Sequence, residues 1–97
     1  MVQVVENRTD LEGVVLSYGP DHERAGYDVL DLDVRRATPV KGYADLLSSR
    51  VGEHLSISVE RDLLPAGQFE RATVRCRARL AGPGVVLAEN LSVTRPA

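Results

Sequence analysis

Four arginines repeat at alternate or near-alternate positions within residues 70–80. They are Arg71, Arg75, Arg77 and Arg79. In a strand, alternate residues share one face and stand about 7 Å apart along the chain. Guanidinium groups in that arrangement suit bidentate contacts with carboxylates or phosphates. The segment therefore predicts a surface that binds an anion or an acidic partner.

The sequence leaves three uses open for these four residues, which we call the Arg stripe. Acids of neighbouring strands, such as Glu12 or Glu89, could pair with it and make the surface purely structural. The stripe could instead dock an acidic protein partner. As a third use, it could bind single-stranded nucleic acid, with Tyr18 and Tyr27 as stacking platforms for the bases.

A short polar loop, residues 19–26, is the second candidate site. Glycines bracket a cluster of four ionisable side chains: Asp21, His22, Glu23 and Arg24. Such a cluster suits a metal ion or a proton-transfer pair, but adjacent ligands on one loop match no standard metal spacing. We expect neither a metal nor a cofactor. An enzyme or small-ligand site on this loop, flanked by Tyr18 and Tyr27, is kept as an alternative to a solvated turn.

Cys76 is the one cysteine of the sequence, so no disulfide forms within the chain. It lies between Val74 and Ala78 on the side opposite to the Arg stripe, which predicts a buried position. A buried thiol behaves as a small hydrophobe. No serine, histidine and acid share a spacing typical of nucleophilic catalysis, so the sequence predicts no catalytic residue.

The chain has 97 residues, which correspond to one domain. Hydrophobic residues make up 43% of it, enough for a core. Charge is unevenly distributed. Residues 1–60 hold eleven acids and six bases, a net −5, whereas residues 61–97 hold three acids and six bases, a net +3. This positive C-terminal part motivates an acidic partner for the Arg stripe.

Apolar and polar residues alternate between turns of glycine and proline, which predicts five strands. They cover residues 10–18, 27–35, 54–60, 70–80 and 85–93. Gly13 predicts a bulge or a sharp bend inside the first strand, and residues 82–84 predict a hairpin turn between the last two. Apolar residues at helical spacing predict one short helix over residues 42–51, and residues 62–65 predict a single turn.

Five strands that must close on themselves, with one short helix, resemble the oligonucleotide/oligosaccharide-binding (OB) fold, a small Greek-key barrel. The resemblance is architectural and covers about residues 10–94. It implies a binding face on strands two and three, but here those strands carry Asp31, Asp33 and Glu60, which repel phosphate. The OB pattern also places its helix between strands three and four, whereas this sequence places one between strands two and three.

We therefore expect a mostly β, OB-like barrel that acts as a non-catalytic interaction module, with the Arg stripe as its contact surface. Single-stranded nucleic acid is the alternative ligand. The first residues include several charges, and no apolar run reaches about 18 residues. We thus expect no membrane segment and a cytoplasmic location. Residues 1–7 and 94–97 are expected to fray, and the oligomeric state is left open.

Overall fold

The computed structural model describes residues 5–95, which contain six β-strands joined by turns. The strands are β1 (Thr9–Pro20), β2 (Tyr27–Pro39), β3 (His54–Glu60), β4 (Thr73–Gly82), β5 (Val85–Ala88) and β6 (Ser92–Thr94). Branched aliphatic residues alternate with polar ones in several of them, a pattern that favours a half-buried sheet. All five predicted strands are present, and β3 has the predicted bounds.

β1 closes the sheet into a barrel, because it pairs with β2 along one edge and with β4 along the other. The order around the barrel is β1-β2-β3-β5-β4. Neighbours are antiparallel except β3 and β5, which run parallel and pair through Ser58 and Leu87. The result is a closed five-stranded barrel of OB-like architecture, as predicted.

Inward-facing side chains of the barrel strands meet in one core. Its fully buried members include Val15, Leu30, Leu32, Ile57, Val59 and Val74. Phe69, from the segment before β4, adds a buried aromatic ring to this aliphatic cluster. Since successive side chains of a strand point to opposite sides, the residues between these core positions face outward and form the surface on which a site can be built.

The bulge or sharp bend predicted at Gly13 corresponds to a register shift at that residue, but the extra residue belongs to β2: Glu12 pairs with Arg36 and Gly13 with Val34, which leaves Arg35 between them. The register between β1 and β2 shifts between Glu12 and Gly13, and again between Val15 and Ser17. A Cβ atom at position 13 would lie 2.9 Å from the carbonyl oxygen of Asp33, so this close backbone approach requires glycine. β1 has its own extra residue, Leu16, at the second shift, and a bulge of this kind bends a strand and increases its twist.

The prediction of a helix over residues 42–51 is wrong. The only helical element in that segment is one 3-10 turn, Ser48–Arg50. The carboxylate of Asp45 accepts hydrogen bonds from the backbone N–H groups of Leu47 and Ser48, at 3.3 and 3.1 Å. Such local bonds compete with helix formation. Leu47 is 1% exposed, so the segment inserts one side chain into the core instead of packing a helical face.

The fifth predicted strand is divided in two. β5 ends at Ala88, β6 begins at Ser92, and both pair with β4. Between them, Oδ1 of Asn90 accepts a hydrogen bond from the backbone N–H of Arg77 at 2.8 Å. The chain has one extra residue between the pairs Ala78–Ala88 and Arg75–Ser92, so it bulges there, and the Asn90 side chain takes the place of a ladder bond. The hairpin turn at residues 82–84 is confirmed, and a second 3-10 turn, Arg61–Leu63, corresponds to the predicted single turn.

The fraying expected at residues 1–7 and 94–97 falls largely outside the described residues. Within them, Asn7 is buried and Thr94 pairs with Thr73 of β4. Arg95 also donates a hydrogen bond to the backbone carbonyl of Gln68, at 3.3 Å. Contacts with the barrel thus extend from Asn7 to Arg95.

Candidate binding groove

β4 carries three residues of the Arg stripe on the outer side of the barrel. The inward-facing residues Val74, Cys76 and Ala78 are buried. Arg75 and Arg77 lie between them and extend outward, with side chains that are 74% and 42% exposed. The predicted alternation of small apolar and arginine side chains is confirmed within β4.

Arg71 stands apart from the other three arginines. It precedes β4, and its φ of 66° is a left-handed conformation that is rare for residues other than glycine. Its backbone N–H donates to the carbonyl oxygen of Val15 at 2.8 Å. The strand begins at Thr73, three residues later than predicted, so Arg71 does not share the outer face of β4.

A first row of four side chains crosses four strands on this outer face and follows the pairing register of the backbone. It consists of Arg36 of β2, Glu12 of β1, Arg75 of β4 and Ser92 of β6. Oε1 of Glu12 accepts a hydrogen bond from Nε of Arg75 at 2.6 Å, and Oε2 lies 4.0 Å from Nε of Arg36. One carboxylate therefore lies between two guanidinium groups.

A second row runs beside the first, two residues away along the strands. It consists of Thr38 of β2, Asp10 of β1, Arg77 of β4 and Asn90 of the bulge. Nε and Nη2 of Arg77 donate to Oδ1 and Oδ2 of Asp10 at 2.9 and 3.2 Å. These hydrogen bonds and the charge of Asp10 raise the pKa of Arg77. The bidentate geometry also fixes the plane of the guanidinium.

An open groove of about 720 Å³ lies over the two rows. Three of the four carboxylate oxygens of Asp10 and Glu12 already accept a hydrogen bond from an arginine. A guanidinium has five N–H donors; within residues 5–95, Arg75 commits one of them to hydrogen bonds and Arg77 commits two. The groove thus offers more donors than acceptors. Its other lining residues are Leu11, Cys76 and Leu91.

The cross-strand pairing left open by the sequence is present for two residues of the Arg stripe. Arg75 pairs with Glu12 as that alternative supposed, and Arg77 pairs with Asp10. Glu89 contacts Arg8 instead of the stripe. The Glu12–Arg75 and Asp10–Arg77 pairs bring acids of the N-terminal part of the chain against bases of the C-terminal part. Folding therefore offsets much of the uneven charge distribution of the sequence.

Arg79 lies outside the groove. It lines a separate concavity of about 260 Å³ together with Val5 and Arg8. The guanidinium carbon of Arg8 lies 5.0 Å from the ring centroid of Tyr43, a cation–π contact. The Arg stripe is thus divided among three places: the groove, this concavity and the segment before β4.

Arg36 is a groove residue that sequence reasoning missed. The second strand was expected to end one residue before it, but β2 continues to Pro39. This continuation pairs Arg36 with Glu12 of β1. Residues 34–39 of β2 pair with β1 but lie beyond Asp33, the last residue that pairs with β3, so a proline at the end of this stretch is compatible with the strand.

The predicted loop site lies between β1 and β2, and its four ionisable residues line a concavity of about 310 Å³. Asp21 accepts hydrogen bonds from the backbone N–H of Glu23 at 2.9 Å and from the hydroxyl of Ser58 at 2.8 Å. These bonds, with the nearby Arg24, lower the pKa of Asp21. His22 and Glu23 are exposed. The bond from Ser58 connects the loop to β3. This arrangement is typical of a loop with a structural role.

Both tyrosines beside this loop make contacts inside the chain. Tyr18 packs edge-on against Phe69, with ring centroids 5.1 Å apart and planes at 78°. The hydroxyl of Tyr27 donates to Oε1 of Glu60 at 3.3 Å. Both tyrosines are half-buried, so a base-stacking role would compete with these internal contacts.

The outer side of β2 and β3, where the OB resemblance implies binding, is acidic. Asp31 of β2 accepts a hydrogen bond from the hydroxyl of Ser17 on β1 at 2.6 Å and another from the hydroxyl of Ser56 on β3. The hydrogen bonds from these two hydroxyls lower the pKa of Asp31, and the bond from Ser17 has the larger effect. Asp33 lies 2.9 Å from Arg35 on the same strand. Asp31 is therefore held in its charged form, which disfavours phosphate on this side.

Cys76 is buried in the core, as predicted. Its burial, with the charge of Asp10, raises the pKa of the thiol to about 12. The thiol is therefore protonated at neutral pH, whereas nucleophilic chemistry needs the thiolate. In the part of the chain that the structure describes, no three His, Cys, Asp or Glu side chains converge as metal ligands would.

Comparisons of the chain with protein-family models, curated proteins and solved structures gave no match. Fold and site together define a class: a small OB-like β-barrel with a donor-rich polar groove on the outer face of β1, β2, β4 and β6. Within residues 5–95, no helix is long and apolar enough to cross a lipid bilayer.

Proposed function

We propose that this domain is a non-catalytic interaction module that binds an acidic segment of a partner protein. The proposed contact surface is the groove over the two rows, which contains two members of the Arg stripe together with Arg36. The surplus of hydrogen-bond donors in this groove carries the proposal. Carboxylates and backbone carbonyls of a polypeptide would supply the acceptors that these donors lack.

The two groove residues of the Arg stripe are already oriented by their acidic neighbours. Arg75 is bonded to Glu12 through Nε, and Arg77 is bonded to Asp10 through two nitrogens. Immobilising a long side chain is part of the cost of association. Because these arginines are held in place beforehand, a partner loses less binding free energy in ordering them.

A polypeptide suits the groove better than single-stranded nucleic acid does. Of the described residues that line the groove, none is aromatic, whereas proteins that bind single strands rely on aromatic stacking platforms. The side of the barrel implied by the OB resemblance carries Asp31 and Asp33, which repel phosphate. The proposed setting is the cytoplasm, the location expected from the sequence.

The test is a titration of a fluorescent decaglutamate peptide, and separately of labelled oligothymidine, into the domain at low and at moderate salt. We expect the peptide to bind, and to bind less tightly as salt rises, because salt screens exposed charges. Arg75→Glu should lower the affinity for the peptide at least about tenfold, since it sets a like charge against the ligand.

Arg61→Glu is the matched control. Arg61 is exposed, pairs with Asp28 at 3.0 Å and lies outside the groove, yet the substitution changes the net charge by the same amount. Equal losses in the two variants would show that net charge alone attracts the peptide. Tighter binding of oligothymidine than of decaglutamate would favour the nucleic-acid alternative.

A further inference from the structure

Glu12 shares one carboxylate between two arginines. Its Oε1 is bonded to Arg75 at 2.6 Å, and its Oε2 lies 4.0 Å from Arg36. Two positive charges therefore face one negative charge, and the first row keeps an uncompensated positive charge. In the second row, Asp10 and Arg77 neutralise each other one to one. The excess charge of the groove is thus located at the Arg36–Glu12–Arg75 position.

Exposure shows how these three side chains are layered. Glu12 is 23% exposed, whereas Arg36 and Arg75 are 80% and 74% exposed. The carboxylate is thus the more buried group, and the two guanidinium groups extend further into solvent beside the groove. An incoming carboxylate would meet N–H donors of the two guanidinium groups that Glu12 now contacts from below.

The contact between Glu12 and Arg36 is the weaker of the two. A separation of 4.0 Å is beyond hydrogen-bond distance, and exposed ion pairs of this kind hold little free energy. Arg36 can therefore exchange its internal partner for an external one at small cost. Arg75 keeps its short bond to Oε1 while its other nitrogens remain available to a ligand.

From this geometry we infer that Arg36 and Arg75 form a carboxylate-binding site for an acidic residue of the partner, and that Glu12 is a competitor for that site built into the chain. Glu12 orients the two arginines and, at the same time, limits their affinity for an external carboxylate. The inference rests on the proposed function, because it names the position in the groove that recognises the acidic segment.

The experiment repeats the decaglutamate titration with Glu12→Gln, which keeps the size of the side chain and removes its charge. We expect this variant to bind the peptide about fivefold more tightly at low salt, the effect of one unit charge at about 4 Å in water. The gain should shrink as salt rises. In NMR spectra, the Nε–H signals of Arg36 and Arg75 should move more on peptide addition than that of Arg61.

Two further variants make the test specific. Asp28→Asn removes the same charge from an acid that pairs with Arg61, outside the groove, and should not increase affinity comparably. Arg36→Gln should cancel most of the gain when combined with Glu12→Gln, because the two side chains act on one site. Glu12 and Arg36 are on the outer face of the barrel, and Asp28 lies near the start of β2 beside the exposed Arg61, so the variants are expected to fold.

The outcomes separate the inference from the proposed function. Peptide binding that Glu12→Gln leaves unchanged or weakens would overturn the inference and leave the proposed function standing. An equal gain from Asp28→Asn would also overturn it, since net charge would then explain the result. Absence of peptide binding by both the natural domain and Glu12→Gln would overturn the inference and the proposed function together.

Discussion

The side-chain amide of Asn7 forms two hydrogen bonds with the backbone of Leu80. Its Oδ1 accepts from the N–H of Leu80 at 2.8 Å, and its Nδ2 donates to the carbonyl oxygen of Leu80 at 2.9 Å. The backbone ladder between β1 and β4 ends at the pair of Thr9 and Ala78, two residues before this point. The Asn7 side chain therefore extends the hydrogen-bonded ladder between β1 and β4 beyond its last backbone pair.

Removal of this amide should destabilise the domain. Asn7 is 2% exposed, so Asn7→Ala would leave polar groups of Leu80 without a partner, and such a loss costs about 1–3 kcal/mol. Asn90→Ala is the matched control, because Asn90 also accepts from a β4 backbone N–H but is exposed, and water can replace it at a cost below about 1 kcal/mol. Urea unfolding measures both. Equal losses would show that burial of Asn7 is unimportant.

Gly13→Ala should also destabilise the domain, through close contact and not through lost bonding. The added Cβ would lie 2.9 Å from the carbonyl oxygen of Asp33 and 3.2 Å from Cβ of Leu32. Overpacking of this kind costs about 1–3 kcal/mol, and each kcal/mol lowers Tm by about 4–8 °C in a domain of this size. Gly19→Ala has no atom within 4 Å of the new Cβ and should not lower Tm. A Gly13→Ala variant with unchanged Tm would contradict the bulge geometry.

Asp31 should make stability depend on acid pH. The hydroxyls of Ser17 and Ser56 lower its pKa in the folded state, while in the unfolded chain the pKa has its ordinary value of about 3.9. The ionised form therefore stabilises the fold fully above about pH 5, and this contribution is lost as pH falls through the ordinary and then the folded pKa. Asp31→Asn cannot titrate, so its unfolding free energy should fall less steeply between about pH 5 and pH 3.

Unfolding in urea at several pH values measures this slope. Asp62→Asn is a suitable control, because Asp62 is an exposed acid of the 3-10 turn Arg61–Leu63. It should leave the slope as it is in the natural domain. If Asp31→Asn also leaves the slope unchanged, the bonds from Ser17 and Ser56 do not stabilise the ionised carboxylate.

The strands could be predicted because their information is local. Alternation places Val74, Cys76 and Ala78 on one side of β4 whatever the strand pairs with, since the period of two belongs to the extended backbone. The irregularity at Gly13 could also be predicted locally, from a glycine inside an apolar strand. Local sequence could not decide whether residues 42–51 form a helix. Their apolar spacing is the same whether a whole helical face or a single side chain is buried.

That segment was decided by its surroundings. The carboxylate of Asp45 is held by the hydroxyl of Thr9 at 2.7 Å as well as by the backbone of residues 47 and 48. Thr9 lies on β1, 36 residues earlier, so no local pattern contains this contact. The same holds for Leu47, which enters a core formed by strands on either side of it in the sequence.

In the groove, too, local sequence predicts one part of the site and strand pairing decides the other. The guanidinium groups of β4 could be expected on one face, but their partners depend on the register between β4 and β1. That register places Glu12 opposite Arg75 and Asp10 opposite Arg77, and the register between β1 and β2 adds Arg36. A shift by one residue would have turned every one of these side chains to the other face.

The sequence by itself determined the class of structure: a small, mostly β domain whose fourth barrel strand has an apolar side and an arginine side. Its information for this is short-range, because alternation, turns and bulges involve neighbouring residues. Tertiary structure alone decided the place of each member of the Arg stripe: Arg75 and Arg77 are paired with acids, Arg79 lies in another concavity and Arg71 precedes the strand. It also decided that Arg36 completes the site. Those results depend on which strands meet and in which register, and such long-range pairings are set only when the barrel closes.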